Sequence, residues 1–188
     1  MKAIVVYESM YGNTRHIAEA IADGLRWSIP TEVVLAHDAG ALDLDEVELV
    51  VAGAPTHAWG LSRKRTREGA ALDAIKHPDH LLESMATRTG VREWLDELGR
   101  HVALRGVGFD TRLDRSKLVT GSASRTIQRG LHRAGVSVIA RPQSFVVSGM
   151  AGPLAAGEIE RAKQWGEELG RIVVQATETQ LTREKSGR

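Results

Sequence analysis

The stretch Ala3-Ile4-Val5-Val6-Tyr7 contains no charged or amide side chain, is rich in β-branched residues, and is followed closely by Ser9-Met10-Tyr11-Gly12-Asn13-Thr14. A run without polar alternation reads as a parallel strand buried on both faces. A helical pattern starts at once, with Ile17, Ala18, Ile21, Ala22 and Leu25 at helical spacing. Parallel strands cannot be joined by a tight hairpin and need crossover connections. This joint alone therefore points to an α/β chain with helices covering a parallel sheet.

The rest of the chain repeats the theme. Thr31 to Ala36 and Val47 to Pro55 read as the second and third strands, the latter closed by a glycine–proline signal. Residues 68–89, from Glu68 to Thr89, show no clean period and are expected to be irregular. A helix follows from Val91 to Leu98, and a fourth strand from His101 to Phe109. Ser122 to Ala134 is expected to be helical, with Ser122 or Thr120 as its cap. Val136 to Val147 is the last strand, bent or edge-like around Pro142. Ile159, Ala162, Gly166, Leu169, Val173 and Ala176 then form the apolar stripe of a closing helix. One domain over residues 1–176 is expected, with residues 177–188 as a polar tail.

Composition removes several kinds of chemistry. With no cysteine among 188 residues, thiolate catalysis, disulfides and Cys-ligated metals are excluded. A net charge of +1 gives no electrostatic footprint for nucleic acid. No apolar run approaches the roughly 20 residues that span a bilayer, and KAIVVY is too short for a signal core, so a cytoplasmic protein is expected. His77-Pro78-Asp79-His80 offers two histidines, an incomplete metal set interrupted by proline, so no metal is expected.

The joint at residues 9–14 sits where ligands bind in open α/β sheets, beyond the carboxyl ends of the strands. A helix N-terminus leaves N–H groups without partners and carries partial positive charge. Ser9 and Thr14 add hydroxyls, and Gly12 lets the backbone curl around a small group, which together make a phosphate cradle. An ordinary capped turn explains the same six residues about as well. Neither a G-x-x-x-x-G-K-[ST] loop nor a full dinucleotide fingerprint is present, since position 111 is Thr where Gly106-Val107-Gly108 would need a third glycine.

Tyr-Glu-Ser-Met-Tyr-Gly-Asn-Thr resembles the FMN phosphate loop of flavodoxin-like proteins, T/S-x-T-G-x-T, with Ser9, Gly12 and Thr14 matching and Tyr11 in place of the middle threonine. The Ser-Met-Tyr-Gly form is similar to that of flavodiiron flavodoxin modules and some flavin-dependent quinone reductases. Pro55-Thr56-His57-Ala58-Trp59-Gly60 falls where the family has its first isoalloxazine loop, and Phe109-Asp110-Thr111-Arg112 where it has the second. The resemblance implies a five-stranded doubly wound sheet in the order 2-1-3-4-5. It also implies FMN held by Ser9 to Thr14 at the phosphate and by the other two loops at the ring. Trp59 supplies a face for stacking, with a plain packing role as the alternative. Asp110 and Arg112 alternatively pair with each other on a solvated loop.

For function, the resemblance implies electron transfer or oxidoreduction with a redox protein or a quinone-like molecule. Arg63 to Arg67, RKRTR, either stabilises the anionic reduced flavin or forms a solvated helix start, two readings of equal weight. The first implies an anionic or membrane-associated partner, as for the family's quinone-linked protoporphyrinogen dehydrogenases. His57 is expected to titrate near neutral pH. No nicotinamide site is identifiable. A non-catalytic docking or flavin-sensing module, and a regulator binding other phosphates, are the competing readings.

Overall fold

The computed structural model describes residues 1–57, 60–77, 79–114 and 121–186. Its centre is β1 (Ala3–Tyr7), flanked by β2 (Thr31–Leu35) and β3 (Leu49–Pro55), with β4 (Arg105–Leu113) beyond β3. Two short strands, β5 (Ser137–Val138) and β6 (Gln143–Val147), share the far edge of β4. The pairings between these strands are parallel, and the order is β2-β1-β3-β4-β5, as the resemblance implied. The expected single last strand is thus broken in two on either side of Arg141-Pro142, because proline has no N–H to donate to a ladder.

Alternate residues of β1 enter separate cores. Ala3, Val5 and Tyr7 pack with α1 (Asn13–Leu25) and α6 (Glu158–Ser186). Ile4 and Val6 pack with α2 (Ala36–Ala39), α4 (Val91–Glu97) and α5 (Ala123–Arg133). All five apolar positions read for α1 are buried. The stripe of α6 begins at Ala162, since Ile159 is exposed, and the helix continues through the segment expected to be a polar tail.

Glycines set the α1–α6 spacing. A Cβ on Gly24 would overlap the Lys163 carbonyl oxygen, and one on Gly166 that of Ile21. Gly166→Ala is therefore expected to cost about 1–3 kcal/mol as the helices part, read as a lower urea midpoint at unchanged slope.

Two sequence expectations are corrected here. The strand expected at His101 to Phe109 lies four residues later, at Arg105–Leu113. Glycine has little strand preference, yet Gly106 and Gly108 sit inside it because Val136 and the Ser124 carbonyl approach too closely for a side chain. Residues 64–76, largely within the region expected to be irregular, form α3 (Lys64–Lys76). Its period was invisible because the one residue it buries is Arg67. Thr66 reaches back to the Arg63 N–H, at 2.8 Å, to start it.

Candidate functional site

Gly12 has φ +84°, a left-handed conformation that costs glycine nothing and other residues strain. That turn lets the Gly12 N–H donate to Ser9 Oγ (3.1 Å) while the Gly12 carbonyl accepts from His16 N–H (3.0 Å), launching α1. No side chain caps the helix start. The Asn13 amide donates to the Ala151 carbonyl at 2.9 Å, tying the loop to the segment after β6. The Glu83 N–H donates to the Met10 carbonyl at 2.8 Å, and Glu83 pairs with Arg15 at 2.6 Å, so the segment after α3 braces the loop.

Thr14 Oγ1 lies 2.7 Å from Thr111 Oγ1, joining the ends of the loop and of β4. In such a pair one hydroxyl donates to the other and one hydrogen remains for a ligand. Ser9, as acceptor from Gly12, likewise keeps its hydrogen. Two hydroxyl donors and a helix N-terminus thus converge.

They open into a cavity of about 490 Å³, within the range of small-molecule sites. Of the residues named from sequence, Ser9, Met10, Tyr11, Asn13, Thr14, Pro55, Thr56, His57, Thr111 and Arg112 line it. Gly60 closes the loop by exchanging backbone bonds with His57 at 2.8 and 2.9 Å. Ala58 and Trp59, the expected stacking residue, lie outside the described residues, as does the alternative cap Thr120.

Phe109 and Asp110 are placed differently from the expectation. The β4 offset puts both inside the strand rather than on a loop. Phe109 is fully buried beneath Gly53 and edge-on to Phe145. Asp110, also fully buried, does not pair with Arg112. Its Oδ2 accepts from Thr56 Oγ1 (3.1 Å), Ser122 Oγ (2.9 Å) and the Ser124 N–H (2.9 Å). A carboxylate at the start of α5 also meets the helix dipole favourably. Asp110 therefore ties the first ring-side loop to α5, and Ser122 is the cap. Asp110→Ala is expected to lower stability by about 2–4 kcal/mol, since two buried donors and one partly buried donor lose a charged acceptor, measured by chemical denaturation.

Sequence reasoning missed the wall supplied by α3, namely Thr66, Gly69, Ala70 and Asp73, together with Leu113, Val147, Gly149 and Met150. No motif marks these residues apart from Thr66 in the basic run, whose reading as a solvated helix start matches the start of α3 at Lys64. Arg67 anchors α3. It is buried, forks onto Glu93 (2.9 and 3.2 Å) and donates to Ser62 Oγ (2.9 Å). Beside it Glu8, buried at the end of β1, accepts from the Val91 N–H at 3.0 Å. Burial pushes the Glu8 carboxyl up, against the Ser62, Val91 and Arg67 contacts that lower it. Partial burial also acts to raise Glu93, but its bonds to Arg67 and its backbone bonds hold it low.

The basic run is thus not a cluster facing the cavity: Arg67 is committed to Glu93, and Arg63, Lys64 and Arg65 are exposed. Among the described residues the basic side chain in the cavity wall is Arg112. His57 does not sit at its ordinary titration point either. Burial lowers its pKa, and the Arg67 charge adds to the effect. An NMR titration should find its midpoint below about 6.5. A depressed folded-state pKa means that its contribution to stability is complete above the unfolded value and fades as pH falls through the folded one.

At the far end of α3, Asp73 Oδ2 lies 2.8 Å from His80 Nδ1, and Asp73 Oδ1 lies 3.2 Å from His77 Nδ1. The His80 hydrogen bond holds the Asp73 carboxyl below its ordinary value.

Residues 4–67 match the family model described as flavodoxin domain. That span contains the Ser9–Thr14 loop and the Pro55–Gly60 loop, but not β4. A curated relative, NAD(P)H dehydrogenase (quinone) of Geobacter sulfurreducens, is 31% identical over 104 residues, covering 53% of this chain and about half (49%) of the relative's length. Among solved structures, a flavodoxin from the domain Archaea aligns with TM-score 0.57 at 20% identity, over 92% of this chain and 99% of that one. A Streptococcus flavodoxin aligns with TM-score 0.60 at 17% identity, over 91% and 99%. The parallel sheet, its strand order and these likenesses give the chain a flavodoxin-like fold. No helix among the described residues is long and apolar enough to cross a membrane.

Proposed function

We propose that the chain binds FMN in this cavity and uses it in oxidoreduction. The observation that carries the reading is the convergence of an uncapped helix start with the Ser9 and Thr14–Thr111 hydroxyls at one end of a cavity above β1, β3 and β4. These groups fit a phosphate: all are donors, and the helix dipole favours an anion. Ser9 to Thr14 hold the phosphate. Pro55, Thr56, His57, Ala58, Trp59 and Gly60 form one side of the ring site, with Trp59 as stacking face, and Thr111 and Arg112 the other. Phe109 and Asp110 act from behind, by packing and by fixing Thr56.

Bound FMN supplies one- and two-electron chemistry; the protein tunes and screens it. The Arg112 charge in the wall favours an anionic ring over a neutral one. A neutral His57 offers a hydrogen bond at the ring edge without adding charge. This balance suits reduction of a quinone-like acceptor, and the name of the curated relative supports that choice. The test is anaerobic: the FMN-loaded protein is reduced chemically and mixed with a soluble quinone. Reoxidation much faster than for free flavin at equal concentration is expected. Protein that binds FMN yet shields it from quinones and from redox proteins would instead be a docking or sensing module.

A further inference from the structure

We propose that Asp73, His77 and His80 bind one divalent transition-metal ion on the rim of the cavity. The sequence shows two histidines with proline between them, too few ligands for a site. The fold supplies the third. Asp73 on α3 and its C-cap His77 lie one turn apart, and His77 ends the helix with non-helical φ/ψ (−126°, 88°). The chain then turns back, His80 N–H donating to the His77 carbonyl at 2.8 Å, and this brings the His80 ring over Asp73.

One donor atom from each residue falls within 4.8 Å of the other two. The two Asp73 carboxylate oxygens lie 2.8 Å from His80 Nδ1 and 3.2 Å from His77 Nδ1, close to the spacing of neighbouring ligands on a single ion. Metal–ligand bonds of about 2.1 Å at near-tetrahedral or octahedral angles put adjacent donors about 3.0–3.4 Å apart. The rings are held in place: the two imidazoles stack at 5.0 Å, and Tyr11 meets His80 edge-on at 5.7 Å. Asp73 and His80 are about three-quarters or more shielded from solvent, whereas His77 is half-exposed.

Without a metal, His80 Nδ1 is hydrogen-bonded to the Asp73 carboxylate (2.8 Å) and His77 Nδ1–H is positioned to donate to the Asp73 backbone carbonyl (3.1 Å). On binding, each ring carries its proton on Nε2 and offers the Nδ1 lone pair to the ion. Two imidazoles and one carboxylate suit zinc, cobalt, nickel or copper over magnesium or calcium, which favour oxygen ligands. Three protein ligands leave a position for water or an anionic oxygen. Asp73 itself lines the cavity, so an ion here would stand beside whatever the cavity holds.

The test is calorimetric titration of ZnCl2 into the full chain at about pH 7.5, above the ordinary imidazole range. One saturable zinc per chain is expected, and no comparable signal from MgCl2. His80→Ala and His77→Ala should each weaken binding more than about tenfold, since even outer-shell partners are worth 10–100-fold. His132→Ala, at an exposed position on α5, should not. Asp73→Asn, nearly isosteric, repeats the test should a histidine variant lose its far-UV circular dichroism. Absence of a saturable one-to-one phase, or equal affinity in all four variants, would overturn the site. The readout needs no flavin, so its failure would leave the FMN reading standing.

Discussion

Arg67→Ala is expected to destabilise the fold by about 3–5 kcal/mol, the usual cost of removing one partner from a buried ion pair. Its guanidinium is the cation between Glu93 and Glu8, and its fork also satisfies Ser62. Without it two carboxylates share a partly dry site. Lysine would not replace it, because a single ammonium cannot make the paired bonds to Glu93. The deficit should shrink in acid. Glu8 has a raised folded-state pKa, so its contribution is full below the unfolded value and is lost as pH rises through the folded one. Glu93, held low by Arg67, contributes above its unfolded value and loses that as pH falls. The variant lacks the second effect and gains from the first. Urea unfolding of both proteins from neutral pH towards about pH 5 checks this, and a constant difference would contradict it. Because Arg67 docks α3, which walls the cavity, the variant should also bind FMN more weakly.

The second large effect concerns the ligand. Ser9→Ala with Thr14→Ala should weaken FMN binding by about two to four orders of magnitude. Each lost bond to a charged phosphate is worth about 1.5–3 kcal/mol, and about 1.4 kcal/mol is tenfold. Riboflavin, which has no phosphate, should bind wild type and variant alike. Equal losses for both ligands would mean that the loop had collapsed rather than lost its donors. Thr111→Ala separates these cases, since it breaks the pairing with Thr14 but leaves Ser9 and the helix start intact.

The parts legible in the sequence are those where local chemistry and burial agree. β1 has bounds that follow from an unbroken apolar run, and the Ser9–Thr14 joint is marked by a glycine that must be left-handed. Beyond its start in the basic run, α3 was hidden because its anchoring residue is an arginine, while Leu72 and Ile75, which look like core, are exposed. β4 was misplaced because its glycines mimic a loop, when they are there to admit Val136 and the backbone of α5. That error carried Phe109 and Asp110 to the cavity, whereas one is core and the other a buried tie. The Asp73–His77–His80 cluster needed the chain reversal after α3, which no periodicity encodes.

The most direct test of the central claim is a titration of flavin-free protein into FMN, following fluorescence quenching, with riboflavin in parallel. Tight FMN binding and riboflavin binding weaker by orders of magnitude would put the phosphate in the Ser9–Thr14 loop. Equal affinities, or no quenching of either, would contradict the account.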